Sequence, residues 1–228
     1  MLSIALFGAT TDAKKACKRM TTLEGVTFCA DDYNVIHGND PIIRGTSEAD
    51  YIKGSDGHDQ ISGEDGNDLI FGLEGNDLVL AHDGNDVVLG GDDKDMMKGG
   101  PGNDIILGGS GNDYLLLDEG KDMAYGGPGD DTFIAHDGGD GMFGGEASQE
   151  GNTFIIGNTM EHGESEIKDF WVNEANTIIA KDNECDMEVS INRDDLHSCN
   201  STSPVLHIRN EECVVTVYYD SPELNLTQ

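Results

Sequence analysis

Between Gly45 and Phe143 the chain reads GTSEADYIK, GSDGHDQIS, GEDGNDLIF, GLEGNDLVL, AHDGNDVVL, GGDDKDMMK, GGPGNDIIL, GGSGNDYLL, LDEGKDMAY, GGPGDDTFI and AHDGGDGMF, eleven units of nine residues with no insertion. The sixth position is always aspartate: Asp50, Asp59, Asp68, Asp77, Asp86, Asp95, Asp104, Asp113, Asp122, Asp131 and Asp140. The fourth is glycine in nine of the eleven units, with Glu48 and Asp93 as exceptions. The eighth is apolar throughout: Ile52, Ile61, Ile70, Val79, Val88, Met97, Ile106, Leu115, Ala124, Phe133 and Met142. A period held this strictly decides the architecture before any local propensity does.

The first six residues of each unit carry the Gly, Asp and Asn that accept tight turns and positive φ. The last three form a minimal strand, with its middle side chain on one face and its neighbours on the other. Turn, strand, turn, strand closes a coil of two units, and stacked coils lay each aspartate loop over another. The eighth-position side chains then form a thin core between two facing sheets. Each loop offers one carboxylate and the carbonyls freed by its glycines, oxygen donors that suit a hard cation taking six to eight ligands, calcium before magnesium. The candidate ligands are the eleven aspartates together with Gly57, Gly66, Gly75, Gly84, Gly102, Gly111 and Gly129.

GGPGNDIIL and GGSGNDYLL match G-G-x-G-x-D-x-U-x, with U a large apolar residue, at every defined position. The stretch thereby resembles the glycine- and aspartate-rich nonapeptide repeats of the RTX (haemolysin-type calcium-binding) family. The resemblance implies an all-β fold, a parallel β-roll of about eleven repeats, with a row of calcium ions between successive loops on each edge. Ala81, Leu117 and Ala135 depart from the pattern at position one, and Glu48 and Asp93 at position four; these loops are expected to bind ions less well. In calcium the repeat reads as a folded roll, because a disordered acidic linker would not keep an aliphatic residue in phase. Without calcium the disordered reading prevails.

The balance of 13 Lys and Arg against 45 Asp and Glu gives a formal charge of −32 on 228 residues. Such a chain repels itself, so its folding is expected to follow metal binding. Nucleic acid and anionic membranes are poor partners for it.

Taken in order, residues 1–13 open with the apolar run MLSIALFGA and read as a secretory signal peptide, although Lys and Arg are missing from its start. Residues 14–44 read as an N-terminal cap and lead-in. Lys14–Arg19 is a small basic patch suited to a short helix over the first coil, and Cys17 and Cys29 are spaced to close a loop. Asn34–Arg44 reads as a slipped repeat, with Pro41 suited to an edge strand. Residues 45–152 are the roll, and 153–228 a C-terminal cap of antiparallel strands. Strand candidates there are Thr153–Ile156, Ser165–Phe170, Thr177–Ala180, Glu188–Ile191, Val205–Ile208 and Val214–Tyr219. Cys185, Cys199 and Cys213 bring the cysteines to five, which allows two bridges and one remaining thiol in an oxidising compartment. Asn200 and Asn225 head weak glycosylation sequons.

Positions seven and nine should face outward, and in the odd units they are apolar: Leu69 and Phe71, Val87 and Leu89, Ile105 and Leu107, Met123 and Tyr125. Such a face marks either a homodimer interface or a surface covered by the chain itself. No apolar stretch has the length to span a bilayer. Nucleophile elbows, H-E-x-x-H, P-loops and Cys/His metal spacings are missing. The roughly 44 residues before the repeats are too few for a catalytic domain, so no catalysis is expected of this chain. Two functions follow: a secreted calcium-folded roll presenting a structural surface, or an adhesion module for polysaccharide, mineral or a cell surface.

Overall fold

The computed structural model describes residues 33–38, 41–135, 140–145 and 151–157, and the strand backbones at 4–5, 20–23, 26–29, 166–170, 177–181, 186–190, 205–209 and 214–219. Among the described residues every regular element is a strand. The N-terminal strands β1 (Ile4–Ala5), β2 (Met20–Leu23) and β3 (Val26–Cys29) form a separate small sheet, with β1 parallel and β2 antiparallel to β3. The expected helix at Lys14–Arg19 and the side chains of all five cysteines lie outside the described residues, as do both sequons.

From Asn34 onward the chain alternates between two sheets. One sheet receives β4 (Asn34–His37), β6 (Asp50–Lys53), β8 (Leu69–Glu74), β10 (Val87–Asp92), β12 (Ile105–Ser110), β14 (Met123–Tyr125), β16 (Gly141–Phe143) and β18 (Glu166–Phe170). The other receives β5 (Ile42–Arg44), β7 (Gln60–Ser62), β9 (Leu78–Leu80), β11 (Met96–Lys98), β13 (Tyr114–Leu117), β15 (Thr132–Ala135), β17 (Thr153–Gly157) and β19 (Thr177–Lys181). All neighbours within these two series pair in parallel, and within the strict repeat each residue faces the one eighteen positions along, as in Leu69↔Val87↔Ile105. This is a parallel β-roll. The lead-in joins it, since β4 pairs with β6 and β5 with β7. Pro41 immediately precedes β5, the edge strand of its sheet.

At the C-terminal end, parallel pairing persists through β18 and β19, and antiparallel pairing enters only with β20 (Asp186–Ser190) on β19 and β21 (Val205–Arg209) on β22 (Val214–Tyr219). The chain keeps alternating between sheets after the strict period has slipped because the apolar residue survives: Ile167 is fully buried in the same core as Met142.

That core is two facing columns of eighth-position side chains. Ile52, Ile70, Val88, Ile106, Ala124 and Met142 come from one sheet, and Ile61, Val79, Met97, Leu115, Phe133 and Phe154 from the other, none more than 2% exposed. Phe133 and Phe154 stack with centroids 4.9 Å apart and planes at 8°. Ala81, Leu117 and Ala135, which break the pattern at position one, are fully buried members of this core beside Ile156. They turn loop glycine positions on one edge into packing positions.

On the outer face of the first sheet, Tyr51, Leu69, Phe71 and Val87 are buried as a second cluster, with Tyr33, Leu73, Leu89 and Ile105 packed against it. The chain therefore covers the first coils of this face itself. Further along the sheet Met123 is exposed, and Tyr125 and Phe143 stack at 4.4 Å.

Each fully buried aliphatic side chain contributes roughly 1.5–3 kcal/mol, and so thin a core has few neighbours able to collapse into a void. Ile106→Ala is expected to cost about 2–5 kcal/mol in calcium, whereas Met96→Ala on the exposed outer face should cost under about 0.5 kcal/mol. Denaturant titration of the two variants checks the contrast.

Candidate metal centre

The turns between strands stack into two loop columns, one on each edge of the roll. One column carries Asp50, Asp68, Asp86, Asp104, Asp122 and Asp140, and the other Asp59, Asp77, Asp95, Asp113 and Asp131. All eleven aspartates are at most 3% exposed. Burying so many carboxylates in a chain this acidic is costly unless each finds partners.

One oxygen of each carboxylate does. The backbone N–H of nine of the eleven aspartates donates to Oδ1 of the aspartate one coil ahead: Asp50 to Asp68 at 2.8 Å, Asp86 to Asp104 at 2.8 Å, Asp122 to Asp140 at 3.0 Å. The other column repeats this from Asp59 to Asp77 at 2.8 Å through Asp113 to Asp131 at 2.9 Å. At the end of that column Asp131 N–H donates instead to Asn152 Oδ1 at 2.7 Å, across a separation of 21 residues. Asn152 is fully buried and takes the aspartate's place after the period has slipped.

The second oxygen has no such partner. Oδ2 of Asp68, Asp77, Asp86, Asp95, Asp104, Asp113, Asp122 and Asp131 is buried without any hydrogen bond. Burial pushes these carboxyls up, opposed by the N–H donated to Oδ1. For most of them the stacked like charge one coil away adds to the rise. Asp77 and Asp113 reach about 6, Asp68, Asp86, Asp95, Asp104 and Asp131 about 7, and Asp122 about 8. A row of unpartnered, desolvated carboxylate oxygens is what a cation would relieve.

The glycines keep the space beside these oxygens open. A Cβ on Gly63 would stand 2.5 Å from Asp68 Oδ2 and 2.6 Å from the carbonyl oxygen of Ala81, one coil ahead. On Gly108 it would stand 2.5 Å from both Asp113 Oδ2 and the Gly126 carbonyl oxygen. At position four, Gly84, Gly102 and Gly120 have φ of 154°, 147° and 140°, and a Cβ on any of them would strike the glycine carbonyl of the preceding coil. Among the described residues no three His, Cys, Asp or Glu side chains converge. A cation taking six to eight oxygens must therefore draw most of them from main-chain carbonyls. The donor set is hard oxygen throughout and fits calcium.

The sequence pattern treats position five as variable, yet it carries a second ladder. Asn67 Oδ1 accepts the N–H of Asn85 at 2.8 Å, Asn85 that of Asn103 at 2.8 Å, and Asn103 that of Lys121 at 3.0 Å. On the other edge His58 Nδ1 accepts from Asn76 at 2.7 Å, Asn76 from Lys94 at 3.1 Å, and Asn112 from Asp130 at 3.1 Å. The signal was there in Asn67, Asn76, Asn85, Asn103 and Asn112, five asparagines in eleven units. Asn152 had no comparable signal, because three extra residues hide its register.

The family model for the RTX calcium-binding nonapeptide repeat matches residues 44–79, 80–115 and 117–147. No curated protein matches the chain. Among the described residues no helix is long and apolar enough to cross a membrane.

Two expectations follow. An aspartate whose carboxyl is raised by folding stabilises the metal-free roll below its unfolded value and loses that contribution as pH rises through the folded one. Without metal, the roll should therefore lose structure as pH rises from about 4 to about 8, and calcium uptake near pH 7 should release protons. Circular dichroism in chelator against pH, and calorimetry in two buffers of different ionisation enthalpy, read these effects. Gly102→Ala, which places a methyl against the Gly84 carbonyl at a positive φ, should cost at least about 2 kcal/mol of calcium-loaded stability, measured as a denaturation midpoint.

Proposed function

From a chain whose residues 44–147 are RTX calcium-binding nonapeptide repeats, we propose a secreted, non-catalytic protein that folds as calcium fills both loop columns and then presents its sheets as a structural surface. These repeats bind multiple calcium ions, and proteins that carry them are typically secreted. The eight buried, unpartnered Oδ2 atoms carry the reading. In it, the aspartates whose Oδ2 is bare hold the ions together with carbonyls of Gly57, Gly66, Gly75, Gly84, Gly102, Gly111 and Gly129.

The charge supports the coupling to folding. At −32 the chain resists compaction until divalent ions neutralise the columns. Binding free energy then becomes folding free energy. Because each coil rests only on its neighbours, filling should be cooperative, with site affinities in the range of extracellular calcium modules, roughly 10⁻⁴–10⁻³ M.

A second reading takes the same folded roll as an adhesion module for polysaccharide, mineral or a cell surface. It is favoured by the later coils of the first sheet's outer face, where Met123 is exposed and Tyr125 and Phe143 stack. The same apolar region would serve a homodimer.

Size-exclusion chromatography with light scattering, in millimolar calcium and in chelator, tests the main reading. A particle that is compact in calcium and expanded without it is expected. An elution volume indifferent to calcium would sink the proposal. A calcium-dependent dimer would assign the open faces to self-association, and retention of the monomer on a single polysaccharide or mineral would favour adhesion.

A further inference from the structure

Eight aspartates leave Oδ2 bare, but the first in each column does not. Asp50 Oδ2 accepts the backbone N–H of Thr46 at 2.5 Å and its hydroxyl at 3.0 Å. Asp59 Oδ2 accepts the N–H of Ser55 at 2.7 Å and its hydroxyl at 2.9 Å. Thr46 and Ser55 occupy position two of the first two units, and no later unit has a hydroxyl there.

The backbone at position two changes in step. From the third unit onward it is largely left-handed: Glu64 at φ 74°, Leu73 at 94°, His82 at 77°, Gly91 at 129°, Gly100 at 111°, Gly109 at 113° and Gly127 at 107°. Thr46 and Ser55 are not among the positive-φ residues, and a β-branched threonine is a poor fit to that region. In these two loops the position-two N–H meets its own aspartate, whereas no N–H reaches Oδ2 of the eight that follow. Glu64, the first left-handed residue, has its carboxylate turned outward to Arg44 at 2.7 and 2.9 Å, away from Asp68. Glu64, Leu73 and His82 hold a conformation costly to them there, while Asp118 of the ninth unit does not adopt it although Asp122 Oδ2 is also bare.

Resting on the calcium reading above, we infer that the metal rows begin one coil in: Thr46 and Ser55 close the first loop of each column in place of an ion, so Asp50 and Asp59 take no calcium. Each hydroxyl and amide pair supplies donors to the oxygen that a cation satisfies further along, and the bond count at that oxygen is complete without metal. The first loops therefore have their closed form before any ion arrives. They offer the second coil a finished hydrogen-bonding edge, through Asp50 N–H to Asp68 Oδ1 and Asp59 N–H to Asp77 Oδ1.

Crystals of the full chain grown in calcium, with ions located by anomalous scattering, provide the direct test. Ions should lie within coordination distance of carboxylates from Asp68 to Asp131 and of neither Asp50 nor Asp59. In solution, equilibrium dialysis should give Asp50→Asn and Asp59→Asn the wild-type calcium stoichiometry, while Asp95→Asn and Asp104→Asn bind fewer ions. Thr46→Gly with Ser55→Gly, which restores the glycine of the later loops, should gain about two ions per chain, one per freed carboxylate. An ion on Asp50 or Asp59 in the wild-type crystal, or a stoichiometry that falls in Asp50→Asn as far as in Asp104→Asn, would overturn the inference. No calcium uptake by the wild type would instead remove the calcium reading itself, and this inference with it.

Discussion

A buried carboxylate with one oxygen bonded and the other bare is the constraint on which this molecule turns. Oδ1 of nine of the eleven aspartates, from Asp68 to Asp140, receives the N–H of the aspartate one coil before it, and so sets the register of the stack. Oδ2 of the same group faces away from every donor in eight of the eleven cases. Structure and ligand demand thus sit on the two oxygens of one side chain. Replacing the aspartate by an apolar residue would remove the register as well as the ion, and replacing it by asparagine would keep the register alone. The chain itself makes the latter substitution once, at Asn152, where the column ends.

The nine-residue unit also solves a topological problem. Parallel strands in one sheet ordinarily require a crossover of a dozen residues or more, usually a helix. Here the crossover is the facing strand with its two turns, so each strand serves as the connection for its neighbours. Turns this short are available only because glycine accepts the close approach of the carbonyl one coil away, as at Gly84 against Gly66. The same glycines that make the turn tight leave the oxygen-lined space beside the aspartates open.

Much of this was legible in the sequence, because period and register are the same information. Aspartate at position six and an apolar residue at position eight give the loops, the strands, the core column and the identity of the buried acids. What escaped was set by features that a periodic pattern averages away. Ala81, Leu117 and Ala135 read as imperfect loops, yet their side chains point inward and join the core. The asparagine ladder at position five was visible as composition but had no assigned role, since its partners are backbone amides one coil away. Thr46 and Ser55 differ from their counterparts through the sign of a backbone dihedral, which residue identity only hints at. The covering of Leu69 and Phe71 is a tertiary event that no repeat encodes.

The register of the roll also has a mechanical meaning. Eighteen residues separate paired positions on neighbouring coils, and one coil advances the stack by only a strand spacing, about 4.8 Å. The same eighteen residues drawn out straight would reach roughly 60 Å. A coil that opens under load therefore lengthens the chain more than tenfold at that point, and one that closes takes up the slack. If calcium-coupled folding proceeds as proposed above, the reach of this stretch of chain follows the number of coils that ions hold closed.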